Sequence, residues 1–160
     1  MPHEALESYL NDHVAGSVAA IELLDHLVES AGDSGTRRFF EEIRTEVTED
    51  QATLRGILSG LGADESGLRK AGAWLTEKVA RAKLRLEGPA RGSVHELEAL
   101  EGLALGILGK LALWRALAVA GGIHALRGVD LGELQRRAET QHARIESRRL
   151  DRARALFAQP

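Results

Sequence analysis

LALGILGKLALWRALAVAGGI, which spans Leu103 to Ile123, is the stretch that decides the fold. Large apolar residues lie on every face of the helix that it predicts, and a helix of that kind is either buried or spans a membrane. Lys110 and Arg115 lie near its middle, where each would cost roughly 2.5 to 3.5 kcal/mol at the centre of a bilayer. We therefore predict the core helix of a soluble protein, surrounded by other helices.

Three glycines recur along this helix at spacings of four and three residues, at positions 102, 106 and 109. Glycine lets a second backbone come close, so the spacing predicts that another helix packs tightly against one face. The same pattern has a second interpretation, a GxxxG-like motif for helix pairing in a membrane. The two internal charges favour the first interpretation.

The composition of the 160 residues indicates a single domain, residues 1–160. A chain of this length buries about 70% of its unfolded surface, so one core is sufficient. The net charge of -3 provides no basic field, so neither nucleic acid nor a membrane surface is an expected partner.

The absence of cysteine excludes disulfides, thiol catalysis and thiolate metal sites. The N-terminus, MPHEALESYL, lacks the basic start and apolar run of a signal peptide, which predicts a cytoplasmic protein.

Apolar residues repeat at helical spacing, and glycine-rich turns divide the pattern into five helices. Asp33 or Ser34 is placed to cap the second helix. An S-x-x-E capping box at 93–96 and a D-x-x-E start at 130–133 mark the beginnings of the last two. The predicted helices run from about 3 to 30, 36 to 61, 68 to 86, 93 to 120 and 131 to 157. No alternation typical of strands is present.

Two long helices joined by a turn, a connecting segment, and two more helices joined by a turn predict an all-α, up-down four-helix bundle. The connecting segment predicts an additional helical crossover between the second and third long helices. In the order and lengths of its helices, the chain resembles the ferritin-like superfamily. Di-iron members of that superfamily supply one Glu from each of two helices and a Glu-x-x-His motif from each of the others. The last helix carries that motif as ETQH at 139–142, whereas the second helix offers EVTE at 46–49, without a histidine.

The two short turns fix which residues lie at the same height. Residue numbers at one height add up to about 68 in the first helix pair and about 251 in the last, at a rise of about 1.5 Å per residue. A crossover that returns the chain to the level of residue 37 brings Glu22, Glu46 and Glu101 to one height, beside Arg149. We expect Arg149 to neutralise Glu46 and Glu101 in a buried ion pair, about two turns from the intact motif. This register predicts no functional di-iron centre.

His13 and His142 are predicted to face the interior at one height, with Glu139 close by. Two imidazoles and a carboxylate are ligands that iron, zinc and manganese accept, so His13, Glu139 and His142 form the candidate metal site. The alternative is a pair of core histidines held by hydrogen bonds with Gln51 and Ser17. No phosphate-binding loop or nucleophile motif occurs, so no catalytic residue is predicted.

The leading hypothesis is a non-enzymatic, ferritin-like bundle without a cofactor, which acts through its surface as an interaction or structural module. The apolar surface of the central helix predicts self-association into a homo-oligomer. One alternative is a metal-dependent oxidoreductase or metal-storage protein that uses the candidate metal site, and another is a binding protein for an apolar ligand between the helices. The arginines at 144, 148, 149, 152 and 154 alternate with acids, which favours surface ion pairs over phosphate binding.

Overall fold

The computed structural model describes residues 2–62 and 93–158, and these residues form helices and turns without a strand. Within these residues, four long helices are present, α1 (Pro2–Ser30), α2 (Ser34–Gly60), α3 (Ser93–Ala120) and α4 (Leu131–Phe157), and a short 3-10 helix, His124–Leu126, precedes α4. The all-helical prediction is confirmed, and four of the predicted helices agree to within a few residues. The helix predicted at 68–86 lies outside the described residues.

The helix ends follow the predicted capping residues. Asp33 caps α2, because its carboxylate accepts a hydrogen bond at 2.8 Å from the backbone N–H three residues further on. Asp130 caps α4 in the same way, also at 2.8 Å. Gly121 and Gly122 follow α3 with φ angles of 53° and 71°, which glycine adopts without strain, so the chain can leave the helix there.

α1 packs along α2, and α3 packs along α4. Gln51 of α2 donates a hydrogen bond to Ser17 of α1 at 2.8 Å. Arg149 of α4 donates one to Glu101 of α3 at 3.3 Å. Both contacts agree with the predicted heights to within one residue, so the register is correct within each antiparallel pair.

α2 and α3 run in the same direction. At one end of the bundle, Arg148 of α4 bonds Thr36, near the start of α2, and lies 3.8 Å from the carboxylate of Glu96, near the start of α3. At the other end, α2 finishes at Gly60 beside Ala125, shortly after the end of α3. α1 lies beside α3, and side chains of α4 reach α2, so the described helices form a four-helix bundle.

The register between the two helix pairs differs from the prediction. Gln141 of α4 donates a hydrogen bond to the carboxylate of Asp50 at 3.3 Å, whereas the predicted register places Asp50 about five residues further along α4. As a result, Glu46 bonds Arg144 at 2.6 Å, and the predicted pairing of Glu46 with Arg149 is wrong. A short turn fixes which residues of two joined helices lie at the same height. The relative height of the two helix pairs depends instead on a long connection, and this is why the prediction failed there.

The core lies between the helices and consists mainly of leucine, isoleucine and valine side chains. Of the described helices, α3 contributes the most buried apolar residues, and Trp114, in its last two turns, is fully buried. Among the described residues, one helix, Val94–Ala120, is long and apolar enough to cross a membrane by length and composition alone. The core helix of a soluble protein passes the same test, and 39% of the apolar window of this helix is buried.

Candidate functional site

Lys110 lies at the middle of the apolar helix α3, and its ammonium group lies inside the bundle. Its Nζ donates hydrogen bonds to the carboxylate of Asp50 on α2 and to the amide oxygen of Gln141 on α4. Asp50 is 3% exposed and Gln141 is fully buried. We call Asp50, Lys110 and Gln141 the central polar cluster, because together they join three of the four long helices.

Arg137 of α4 adds a second cation to the central polar cluster. Its guanidinium lies 3.2 Å from Asp50 and donates hydrogen bonds at 2.7 Å to the backbone carbonyl of Glu46 and to the carboxylate of Glu49. Burial lowers the pKa of Lys110, and the Asp50 carboxylate partly opposes that effect. A buried ammonium without acceptors would be costly, so the contacts with Asp50 and Gln141 are what allow Lys110 to lie there.

A cavity of about 220 Å³ lies between α1, α2 and α3, next to the central polar cluster. Most of its wall is apolar, with Leu103, Leu113 and Trp114 on the α3 side. Lys110 and Asp50 also line the wall, so the cavity reaches from the surface to the buried charges. The bundle therefore offers an apolar space with one charged end.

Glycine residues provide the room for this cavity. Gly16 of α1 and Gly106 and Gly109 of α3 line it, and a Cβ atom added at any of them would have no neighbour within 4 Å. At Gly102 an added Cβ would lie 4.0 Å from the side chain of Leu23 of α1, which is an ordinary van der Waals distance. The predicted tight packing at 106 and 109 is therefore wrong. Since Gly16 and Gly106 are exposed, the mouth of the cavity lies between α1 and α3.

Polar side chains of α1 and α2 surround the mouth of the cavity. Asp12 is exposed, and His13 is half-buried with its ring edge-on to Tyr9 at a centroid distance of 4.7 Å. Burial lowers the pKa of His13, and the smaller, opposite effect of Asp12 does not reverse it, so the imidazole is largely uncharged at pH 7. Ser17 and Gln51 also line the cavity and bond each other, in place of the predicted bonds to histidine.

The predicted metal ligands occupy different surroundings. Glu139 is exposed, and its carboxylate accepts a hydrogen bond from Arg115 at 2.8 Å. His13 lies at the cavity mouth, and His142 is half-buried on α4. In residues 2–62 and 93–158, no three His, Asp or Glu side chains are arranged to hold a metal ion. The metal site formed by His13, Glu139 and His142 stays a prediction, and we derive no chemistry through it.

Arginines of α4 reach acidic residues on the neighbouring helices. Arg144 bonds Glu46 at 2.6 Å and Glu42 at 3.0 Å, which joins α4 to α2. Arg149 pairs with Glu101 at 3.3 Å, but 24% of its side chain is exposed, so it is not the buried cation that the sequence predicts. Lys110, with a side chain that is 14% exposed, is the more deeply buried of these two cations. As predicted, ion pairs form at each of the arginines 144, 148, 149, 152 and 154.

One side of α3 is apolar and exposed from Leu105 to Val119. Leu105 is 70% exposed, Leu108 is 44% exposed and Val119 is 86% exposed. The exposed alanines at 112 and 116 lie between them. We call residues 105, 108, 112, 116 and 119 the outer face of α3. Scattered exposed leucines are ordinary, but a continuous apolar stripe on one helix indicates a contact surface.

Sequence reasoning missed the pairing of Asp50 with Lys110. The signal was present, because a cation in an apolar helix and an acid on the inward stripe of another helix must find partners when buried.

Comparisons of the chain with models of protein families, with curated proteins and with solved structures gave no match. The function is therefore inferred from the cluster, the cavity and the outer face of α3.

Proposed function

We propose that the protein is a ferritin-like helical bundle without a di-iron centre, and that it acts through association and not through catalysis. The outer face of α3 carries this proposal, because it is a continuous apolar surface on an otherwise charged bundle. The proposed partner is a second copy of this chain. The interior of the bundle and the charges beside the outer face support the two parts of the proposal separately.

The charges around Asp50, in the part of the interior that the structure describes, do not favour a di-iron centre. Such centres gather carboxylates and histidines from four helices around two cations. Here the ammonium of Lys110 lies beside Asp50, and Arg137 approaches the same carboxylate at 3.2 Å. A metal ion at Asp50 would face two positive side chains, which disfavours its binding.

A twofold axis through the outer face would bring charges of opposite sign on the two copies together. Glu101 and Arg115 each lie seven residues from Leu108, in opposite directions along α3. If two α3 helices pack antiparallel about a twofold axis at Leu108, Glu101 of each copy faces Arg115 of the other. Both side chains are more than half exposed, at 52% and 58%, and each keeps a partner on α4. The result is an apolar centre with a charged rim, as protein interfaces commonly have.

Sedimentation velocity of charge variants tests this arrangement. The unaltered chain is expected to form a dimer. Glu101→Arg and Arg115→Glu each create two like-charge contacts and are expected to weaken the dimer about tenfold. The double variant restores opposite charges, and we expect it to restore the dimer. A chain that is monomeric throughout, or one that instead sediments with lipid vesicles, contradicts the proposal.

A substitution at the centre of the outer face gives the larger effect. Leu108→Glu places a carboxylate at the twofold axis, and we expect it to abolish the dimer without unfolding the bundle. Leu150→Glu is the matched control, because Leu150 on α4 is similarly exposed, at 39% compared with 44% for Leu108. The control is expected to remain dimeric. Equal loss of the dimer in both variants would show that the outer face of α3 is not the interface.

Metal analysis tests the other part of the proposal. Protein purified without a chelator is expected to contain iron, zinc and manganese only far below one ion per chain. The alternative, a metal-dependent oxidoreductase or storage protein, requires stoichiometric metal that is lost in His142→Ala. That outcome would overturn the proposal that the bundle lacks a metal centre. It would not bear on dimer formation, which sedimentation velocity tests.

A further inference from the structure

We propose that the cavity between α1, α2 and α3 binds a small, uncharged organic molecule that has an apolar body and one oxygen able to accept a hydrogen bond from Lys110. This inference is independent of the proposed dimer, because the cavity wall and the outer face of α3 use different residues. It assigns a class of ligand to this cavity, which a four-helix bundle does not need in order to fold.

The size of the cavity limits the ligand. An engineered cavity of about 150 Å³ in another protein binds benzene, so a cavity of about 220 Å³ accepts roughly nine non-hydrogen atoms. Its wall is mostly apolar side chains, which favours an aromatic or branched aliphatic body. The glycines at 16, 106 and 109 leave this space open where alanine or leucine would begin to fill it.

Lys110 supplies the polar contact. An ammonium group has three N–H donors. Among residues 2–62 and 93–158, two of those of Lys110 bond Asp50 and Gln141, which leaves one donor for another acceptor. Lys110 lines the cavity, and 14% of its side chain is exposed, compared with 3% for its partner Asp50. A ligand oxygen that accepts the third hydrogen bond therefore completes the central polar cluster.

The acidic groups in the cavity wall disfavour an anionic ligand. Asp50 lies at the inner end, and its carboxylate would repel a second carboxylate beside Lys110, whereas Arg137, the other cation near Asp50, is not part of the cavity wall. Asp12 is exposed at the mouth. The neighbouring His13 does not balance it near pH 7, because burial lowers the pKa of the imidazole. A neutral carbonyl, ether or hydroxyl oxygen avoids both repulsions, whereas a carboxylate meets both.

Three probe molecules of similar size separate these contributions. Acetophenone has an apolar ring and a carbonyl oxygen, ethylbenzene lacks the oxygen, and phenylacetate carries a carboxylate. Binding to the full chain is measured by NMR titration of the Trp114 indole N–H signal, because Trp114 lines the cavity. Trp74→Phe assigns the signal, since the chain has 2 tryptophans. We expect acetophenone to bind about tenfold more tightly than ethylbenzene, and phenylacetate not to bind.

Two variants with a matched control test where the probes bind. Gly109→Leu fills the cavity and is expected to abolish binding of acetophenone. Gly56→Leu is the control, because Gly56 is also a helical glycine with open space around its Cβ position but lies outside the cavity wall. Replacing the cluster together, as Lys110→Met, Asp50→Leu and Gln141→Leu, keeps the interior filled and is expected to remove the preference for acetophenone over ethylbenzene.

The results that overturn the proposal are equally specific. No change of the Trp114 signal up to the solubility limit of acetophenone shows that the cavity does not bind this class of ligand. Binding that persists in Gly109→Leu places the ligand elsewhere. Equal affinity for acetophenone and ethylbenzene, or tighter binding of phenylacetate, contradicts the assigned role of Lys110 and the exclusion of anions.

Discussion

On the α1–α3 side of the bundle, glycines lie on both facing helices, Gly16 on α1 and Gly106 and Gly109 on α3, and they line a cavity. On the α2–α4 side, arginines of α4 reach across to carboxylates of α2. Arg137 bonds Glu49 at 2.7 Å, and Arg144 bonds Glu46 at 2.6 Å. One bundle therefore leaves space between one pair of neighbouring helices and fills the corresponding space between the other pair with ion pairs.

This difference shows that the residues on the two facing helices determine what occupies the space between them. Arginine spans a wide gap because its stem is long and its head group bonds two acceptors at once. Glycine leaves a gap open unless the facing helix supplies a large side chain. The central polar cluster lies where the two sides meet, since Asp50 belongs to α2 and also lines the cavity.

Removing Lys110 is expected to have the largest effect. Lys110→Met leaves Asp50 in the interior with one cation, Arg137, and we expect it to lower the free energy of unfolding by about 3 kcal/mol. The triple replacement of Lys110, Asp50 and Gln141 by apolar residues is expected to recover most of that loss, because no buried charge remains. Urea unfolding measures both. Equal destabilisation by the single and triple replacements would show that packing at Lys110, and not its charge, stabilises the junction of the two sides.

Alanine in place of a cavity glycine is expected to stabilise the bundle. Gly109→Ala improves helix propensity by about 1 kcal/mol and meets no neighbour within 4 Å. Gly60→Ala is the comparison, because its Cβ would lie 3.1 Å from the Cβ of Ala125 and the contact would offset the gain. The free energy of unfolding, from the same urea measurements, is expected to rise for the first variant alone. A loss of stability in Gly109→Ala would mean that the space on the α1–α3 side is closed.

The sequence predicts the parts of this fold that depend on local chemistry. The caps at Asp33 and Asp130, the end of α3 at Gly121 and the heights within each helix pair follow from turn residues and short connections. The height between the pairs does not follow, because it depends on packing between residues far apart in the chain. An error of about five residues there moved the predicted buried cation from Lys110 to Arg149.

The candidate site was harder to predict than the fold for a related reason. The spacing of Gly102, Gly106 and Gly109 is compatible with a close helix contact or with a cavity, and the facing helix decides between them. At Gly102 the facing residue is Leu23, and contact results. Around Gly106 and Gly109 the cavity wall on α1 includes Gly16, so neither surface fills the space. One sequence stretch cannot contain that information by itself.

Ion pairs between helices are expected to contribute less to the free energy of unfolding than the central polar cluster does. The more exposed the arginine, the smaller the expected contribution. Arg144→Gln removes contacts with Glu42 and Glu46 at a side chain that is 30% exposed, and we expect a loss of about 1 kcal/mol at low salt. The comparison is Arg115→Gln, which removes the pair of Arg115 on α3 with Glu139 on α4 at a side chain that is 58% exposed, and it is expected to change stability by less than about 0.5 kcal/mol. Urea unfolding at two salt concentrations checks both, and added salt should reduce the difference. Equal effects would indicate that the arginines of α4 do not hold the two helices together.

The smallest expected effect lies at the start of α2, where Thr36 bonds both Asp33 and Arg148 of α4. The hydrogen bonds from Thr36 hold the pKa of Asp33 below its usual value of 3.8. The folded state therefore favours the carboxylate, so its contribution to stability is present above pH 3.8 and is lost as the pH falls through the lower, folded value. The thermal midpoint of the unaltered chain is expected to exceed that of Asp33→Asn above this range and to approach it in acid. Thr36→Val removes the side-chain hydrogen bond and should reduce the pH dependence of that difference, whereas two midpoint curves that stay parallel would mean that Asp33 caps α2 without any link to its charge.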